Sequence, residues 1–167
     1  DTTLIIFISD NGGPLDHTTN YPLRGGKHTF WDGGVRVLAG VGGGLIPFAR
    51  RGKTWAGLAH SADWLRTLTE GAVGMAPFDR NSTGPVPDDS MNLWAALIGD
   101  SQSPRSEIIH QVENRFFTEH VTAIRTGDMK LILGQPGDGR TLKWPDLTGQ
   151  AVPFGQSGGL RRDGEQA

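Results

Sequence analysis

The run TTLIIFIS, from Thr2 to Ser9, breaks without a spacer into Asp10, Asn11, Gly12, Gly13 and Pro14. A continuous β-branched and aromatic run of this kind reads as a strand buried on both faces, as in the parallel sheet of an α/β protein. The glycines and proline end the strand in a loop, so Asp10 and Asn11 fall at its C-terminal end, the edge where open α/β sheets bind ligands. One carboxylate and one amide oxygen meeting there suit a hard divalent cation such as calcium or magnesium. Two oxygens do not complete a sphere of six to eight ligands, so further donors are expected from another strand end. The same residues also spell a plain Asx turn, in which both side chains bond nearby backbone groups. Both readings stand at this level.

From Asp16 to Gly34 the chain is polar, glycine-rich and punctuated by aromatics, which reads as a long functional loop before the strand-like Val35 to Val41. Within it YPLRGGKHTFWDGG places Arg24, Lys27 and His28 together. Lysine offers a point charge to a sulfate or phosphate oxygen, arginine a bidentate fork, and glycines let the backbone approach closely. The alternative is a solvated basic loop held by Tyr21, Phe30 and Trp31. Arg36 is read as structural, pairing with Asp32 or another acid.

HSADWLRTLTEG, from His60 to Gly71, reads as an amphipathic helix capped by Ser61 or Asp63. A proline-rich connection from Met75 to Asp89 precedes a second short helix, Ser90 to Ile98. Glu107 to Val112 is a short strand. Val121 to Arg125 and Asp128 to Leu133 read as a hairpin in a small antiparallel sheet. Glycine, proline and charge dominate beyond Gln135, so a poorly ordered tail is expected there.

With 16 basic and 18 acidic residues the formal net charge is −2, which offers no broad footprint for nucleic acid or anionic membrane. No apolar stretch approaches the roughly 20 residues needed to cross a bilayer. Cysteine is absent, which excludes disulfides and thiolate metal sites in this sequence. Twenty-five glycines and ten prolines beside a 36 % apolar fraction describe a loop-rich chain that still has material for a core. The five histidines are read as packing or capping residues, His60 at a helix start and His110 at a strand end. Asn81-Ser82-Thr83 fits the N-glycosylation sequon.

The ordered motifs SDNGG, PLRGGK, WDGGVR, HSADWLRTL, SPRSEIIH and AIRTGDMKLILG resemble the C-terminal half of type I sulfatases, most closely the arylsulfatase B (N-acetylgalactosamine-4-sulfatase) group. The match runs from about Thr2 to Gly137. The resemblance implies an α/β fold: the C-terminal portion of an alkaline-phosphatase-like core over residues 1–75, a smaller antiparallel sheet and helix subdomain over 76–137, and a divergent tail over 138–167. It implies that Asp10 and Asn11 are Ca2+ ligands and that Lys27 contacts the substrate's sulfate, with no catalytic role carried to Arg24. It further implies sulfuric ester hydrolysis of a sulfated carbohydrate such as a glycosaminoglycan, in a lysosomal or secreted protein. The family's formylglycine, made from a cysteine in a Cys-x-Pro-x-Arg motif, matches no position here. The chain is therefore expected to be a fragment without turnover of its own. A related metal-dependent phosphatase or phosphodiesterase, and a non-catalytic anion- or partner-binding product, are the rival expectations.

Overall fold

The computed structural model describes residues 2–77, 89–99, 101–111 and 121–141. Asn81, Val112, His120 and the tail from residue 142 onward lie outside the described residues, as does most of the expected Met75 to Asp89 connection. The chain divides into two compact units, one built from Asp1–Ile6, Gly40–Ile108 and Arg125–Met129, the other from Phe7–Ala39, Ile109–Ile124 and Lys130–Ala167. The elements in order are β1 (Ile5–Ile8), α1 (Asp32–Val35), β2 (Ala39–Gly42), a 3₁₀ turn (Phe48–Arg50), α2 (Asp63–Arg66), a π-helical turn (Thr67–Ala72), α3 (Trp94–Gly99), β3 (Glu107–Gln111), β4 (Thr122–Thr126) and β5 (Met129–Leu133).

β1 forms where the apolar run requires a strand, but its surroundings differ from the expectation. Its neighbour is β2 in a two-stranded sheet. Ser9 N–H donates to Leu38 O at 3.0 Å and Leu45 N–H to Thr3 O at 3.3 Å, so the register descends along β2 as it climbs along β1 and the pair is antiparallel. Ile5 and Phe7 are 62 % and 63 % exposed, so β1 is not buried on both faces. Among the described residues this sheet has no further strand beside β1 and β2, unlike the broad parallel sheet that buries such a run. The expected strand from Val35 to Val41 is shortened to β2, because Trp31 O accepts Gly34 N–H at 2.8 Å and winds the start of the segment into α1.

The expected helix over His60 to Gly71 begins at Asp63 and loosens into the π-helical turn. The second begins at Trp94 rather than Ser90, since residues 90–93 are engaged otherwise. Asp63 Oδ1 accepts Met91 N–H at 2.8 Å, Thr67 Oγ1 accepts Leu93 N–H at 2.9 Å and Ser90 Oγ accepts Arg66 N–H at 3.2 Å. Asn92 Oδ1 then accepts Trp94 N–H at 3.0 Å and starts α3. The side chains of Asp63 and Thr67 are fully buried here, beside the buried Leu93 and Ala96, so polar groups organise this core as much as apolar ones. Asp63 does not cap α2 in the expected sense: its Oδ2 reaches back to His60 N–H at 2.8 Å, while His60 Nδ1 accepts Ala62 N–H at 3.2 Å. Arg105 closes the cluster, donating Nε to Asp63 Oδ2 at 2.7 Å and a second guanidinium N–H to Oδ1.

β3, β4 and β5 form a three-stranded sheet in that order. Gly127 and Asp128 join β4 to β5, with Gly127 at φ 52, a left-handed backbone that favours glycine in short hairpin connections. Val121 and Ala123 are buried. No helix among the described residues is long and apolar enough to cross a membrane.

Candidate functional site

Asp10, Asn11 and Lys27 all belong to the unit containing Phe7–Ala39. The turn after β1 is locally bonded: Asp10 Oδ1 accepts Asn11 N–H at 2.9 Å, Asn11 Nδ2 donates to Gly12 O at 3.0 Å, and Ser9 Oγ donates to Asn11 O at 2.8 Å. The Asx-turn reading thus describes the geometry. With Nδ2 engaged, Oδ1 is the acceptor left on the Asn11 side chain, and the Asp10 carboxylate is exposed. Both are hard oxygen donors of the kind calcium takes, although only part of a coordination sphere. Among the described residues no group of three or more His, Cys, Asp or Glu side chains could hold a metal ion.

Lys27 stands on a tight turn running from Gly26 to Thr29. Thr29 N–H donates to Gly26 O at 3.1 Å, and the Thr29 hydroxyl donates to the same oxygen at 2.7 Å. Lys27 is the first central residue, and His28 the second, at φ 69. That position ordinarily takes Gly or Asn, so the histidine adopts a backbone that its surroundings must impose. Lys27 itself is half-buried and His28 exposed.

This loop and the Asp10-Asn11 turn are tied by backbone groups. Gly12 N–H donates to Gly34 O at 2.9 Å, and Lys27 N–H to Gly13 O at 3.1 Å. Contact at Gly12 is so close that a Cβ there would stand 1.6 Å from Gly33 O. Between them lies Asn20, just before the cis Tyr21–Pro22 peptide, and its side chain bonds both segments. Oδ1 accepts Gly13 N–H at 2.8 Å, while Nδ2 donates to Gly13 O at 2.9 Å and to Gly25 O at 3.1 Å. Sequence reasoning missed Asn20, since nothing in an isolated asparagine within a polar loop marks it.

Arg24, expected beside Lys27 as a possible anion ligand, serves the loop instead. Its guanidinium lies 3.6 Å from the centroid of the Trp31 ring, and its Nε donates to Gly139 O at 3.1 Å. Asp32 pairs with Lys130 at 2.8 Å rather than with the exposed Arg36. A groove of about 640 Å³ is lined by Leu23, Arg24, Trp31, Asp32, Lys130 and Leu131, among others. Within it Asp32 and Lys130 pair with each other, and Arg24 lies against the Trp31 ring.

The segment 136–141, expected to begin a poorly ordered tail, is a strap over the loop. Pro136 O accepts Phe30 N–H at 2.9 Å, Gly137 O accepts Trp31 Nε1–H at 3.1 Å, and Arg140 O accepts Gly25 N–H at 3.0 Å. Pro136 and Thr141 are buried. Carbonyl groups supply these bonds, so the side-chain composition of the segment carries no sign of them.

No protein-family model matches the chain. It is 31 % identical over 153 residues to Arylsulfatase J of Mus musculus, an alignment covering 82 % of this chain and 24 % of that protein. It is also 54 % identical over 37 residues to a protein named Sulfatase from Formosa agariphila, covering 22 % of this chain and 7 % of that one. The chain thus spans about a quarter of the length of Arylsulfatase J. These similarities support a place for it in the sulfatase family.

Proposed function

We propose that this chain, as sulfatase kin, supplies part of the cation site and one sulfate contact of a sulfuric ester hydrolase of the arylsulfatase B type. The observation that carries this reading is the bonding of the Asp10-Asn11 turn to the Lys27 loop, which gives two hard oxygen donors and a cationic side chain one shared scaffold. The reaction takes a sulfate ester and water to an alcohol and sulfate. Asp10 and Asn11 Oδ1 would hold Ca2+, and the ammonium of Lys27 would bind and orient the sulfate group as a point charge. A bound cation would draw charge from the sulfate oxygens as the S–O bond breaks. The turn under Lys27 fixes the backbone from which that side chain extends, which limits the reorganisation needed to present its charge.

The sequence has no cysteine and so no Cys-x-Pro-x-Arg motif; in this reading the nucleophile and the remaining ligands come from another part of the active protein. The substrate class we favour is a sulfated carbohydrate such as a glycosaminoglycan, hydrolysed within an alkaline-phosphatase-like fold in a lysosome or outside the cell. In that setting Asn81 is the glycosylation candidate. Lys27→Ala tests the reading in the active protein: kcat/KM for a sulfate ester should fall by about 10²-fold, roughly 2.7 kcal/mol of lost transition-state stabilisation, with the fold intact. Unchanged kcat/KM removes Lys27 from the site.

A further inference from the structure

We propose that Asn20 is a positioning residue that couples cation binding at Asp10 and Asn11 to sulfate binding at Lys27, an inference that rests on the sulfatase reading above. Its amide is bidentate towards one residue, accepting from Gly13 N–H and donating to Gly13 O, while its second N–H donates to Gly25 O. The orientation is unambiguous, because two carbonyl oxygens must face the NH2 group and the N–H must face the oxygen. Gly13 O is a shared node: it accepts from Asn20 at 2.9 Å and from Lys27 N–H at 3.1 Å.

Gly13 stands two residues beyond Asn11, and Gly25 two residues before Lys27. A shift of the turn that improves the Asn11 oxygen for a cation therefore moves the acceptor on which the Lys27 backbone rests. There is little slack to absorb it, since a Cβ on Gly26 would stand 2.5 Å from Gly13 O and 2.8 Å from Asn20 Nδ2. Two ligands whose sites share one rigid element influence each other's affinity by equal factors. Asn20 carries that influence without touching either ligand.

The test uses the active protein, Ca2+ and 4-nitrophenyl sulfate as the ester, with inorganic sulfate as the equilibrium probe. Asn20→Asp preserves size and the acceptor for Gly13 N–H but turns an oxygen towards the two carbonyls. Asn20→Ala deletes all three bonds. In the wild type, saturating sulfate should tighten Ca2+ binding by roughly tenfold, within the usual range of such couplings. In either variant this factor should fall to what the direct attraction between cation and sulfate supplies, while KM rises more than kcat falls. Adding Asn20→Ala to Lys27→Ala should still weaken Ca2+ binding but raise KM no further. A purely structural residue would lower thermal stability and leave the sulfate-dependence of Ca2+ affinity unchanged, and that result overturns the proposal. Should Asn20→Ala fail to fold, Asn20→Asp decides the matter by the same linkage measurement. If neither variant folds, a Gly13→Ala variant is measured instead, and retention of the full wild-type linkage there overturns the proposal. Asp10→Ala separates the two levels: unaltered Ca2+ affinity refutes the site itself, whereas lost affinity beside intact linkage in the Asn20 variants refutes only the coupling.

Discussion

Removing the Asp63 carboxylate should be the most damaging single change among the described side chains. In Asp63→Ala the N–H groups of His60 and Met91 lose their acceptor at 2.8 Å each, and Arg105 loses both oxygens of a bidentate partner. The Asp63 and Arg105 side chains are only 1 % and 10 % exposed, so water cannot take the lost carboxylate's place. Breaking such a pair by deleting one partner costs about 3–5 kcal/mol, because the remaining charge is left buried and uncompensated. Arg105 keeps its donation to Glu107 O at 3.2 Å, which favours the lower part of that range. Urea unfolding followed by tryptophan fluorescence should show the midpoint falling at an unchanged slope. A cycle with Arg105→Met should give a coupling of about 2 kcal/mol, the double variant being less damaged than the sum of the singles. The dependence on acid has a definite sign. Burial pushes the Asp63 carboxyl up, but the Arg105 hydrogen bonds, the His60 and Met91 N–H groups and the Arg105 charge outweigh it and hold the carboxyl below its ordinary value. With the folded pKa beneath the unfolded one, the contribution is fully present above about pH 3.9 and vanishes as pH falls through the folded value. The stability gap between wild type and Asp63→Ala should therefore be flat from pH 5 to 8 and close only in stronger acid. A loss under about 1 kcal/mol, or a gap already closing near pH 6, would refute this account of the cluster.

Two further outcomes concern the candidate site. Gly12→Ala drives a methyl group to 1.6 Å from Gly33 O, so the turn and loop must separate; overpacking of this kind costs about 1–3 kcal/mol or more, and Ca2+ affinity and sulfatase activity should fall together in calorimetry and rate assays. Chelation should abolish turnover of the active protein and added Ca2+ should restore it, with Asp10→Ala needing more of the ion to do so; equal half-saturating Ca2+ in both proteins would remove Asp10 from the metal site.

The strands were legible because their signals are local. TTLIIFIS, the Glu107 run and the two runs flanking Gly127-Asp128 all appear as strands, and the hairpin connection falls at the glycine that its backbone requires. Helix starts were less legible, since Met91 and Leu93 give their N–H groups to Asp63 and Thr67, residues more than twenty positions away. Residue chemistry left Asp10, Asn11 and Lys27 open beside a plain turn and a basic loop until the ordered motifs singled them out, and the joining of the two segments on one scaffold was not legible at all. It depends on Gly13 and Gly25 carbonyls, on the Asn20 amide and on the backbone N–H of Lys27, groups that every sequence contains. Arg24 stayed open in the sequence for a related reason: a guanidinium fork suits an anion and an indole face equally, and the placement of Trp31 at 3.6 Å shows the second contact.

The strap at residues 136–140 has a consequence for the order in which the protein is made. Lys27 leaves the ribosome about 110 residues ahead of Gly137, and at ordinary rates of synthesis that interval lasts roughly 6–20 s. Throughout it the N–H groups of Gly25 and Phe30 and the indole N–H of Trp31 lack the carbonyls that later receive them. The Lys27 loop is thus completed late in translation, and a chain ended before Pro136 would contain β1, α2 and the β4–β5 hairpin but leave that loop unstrapped.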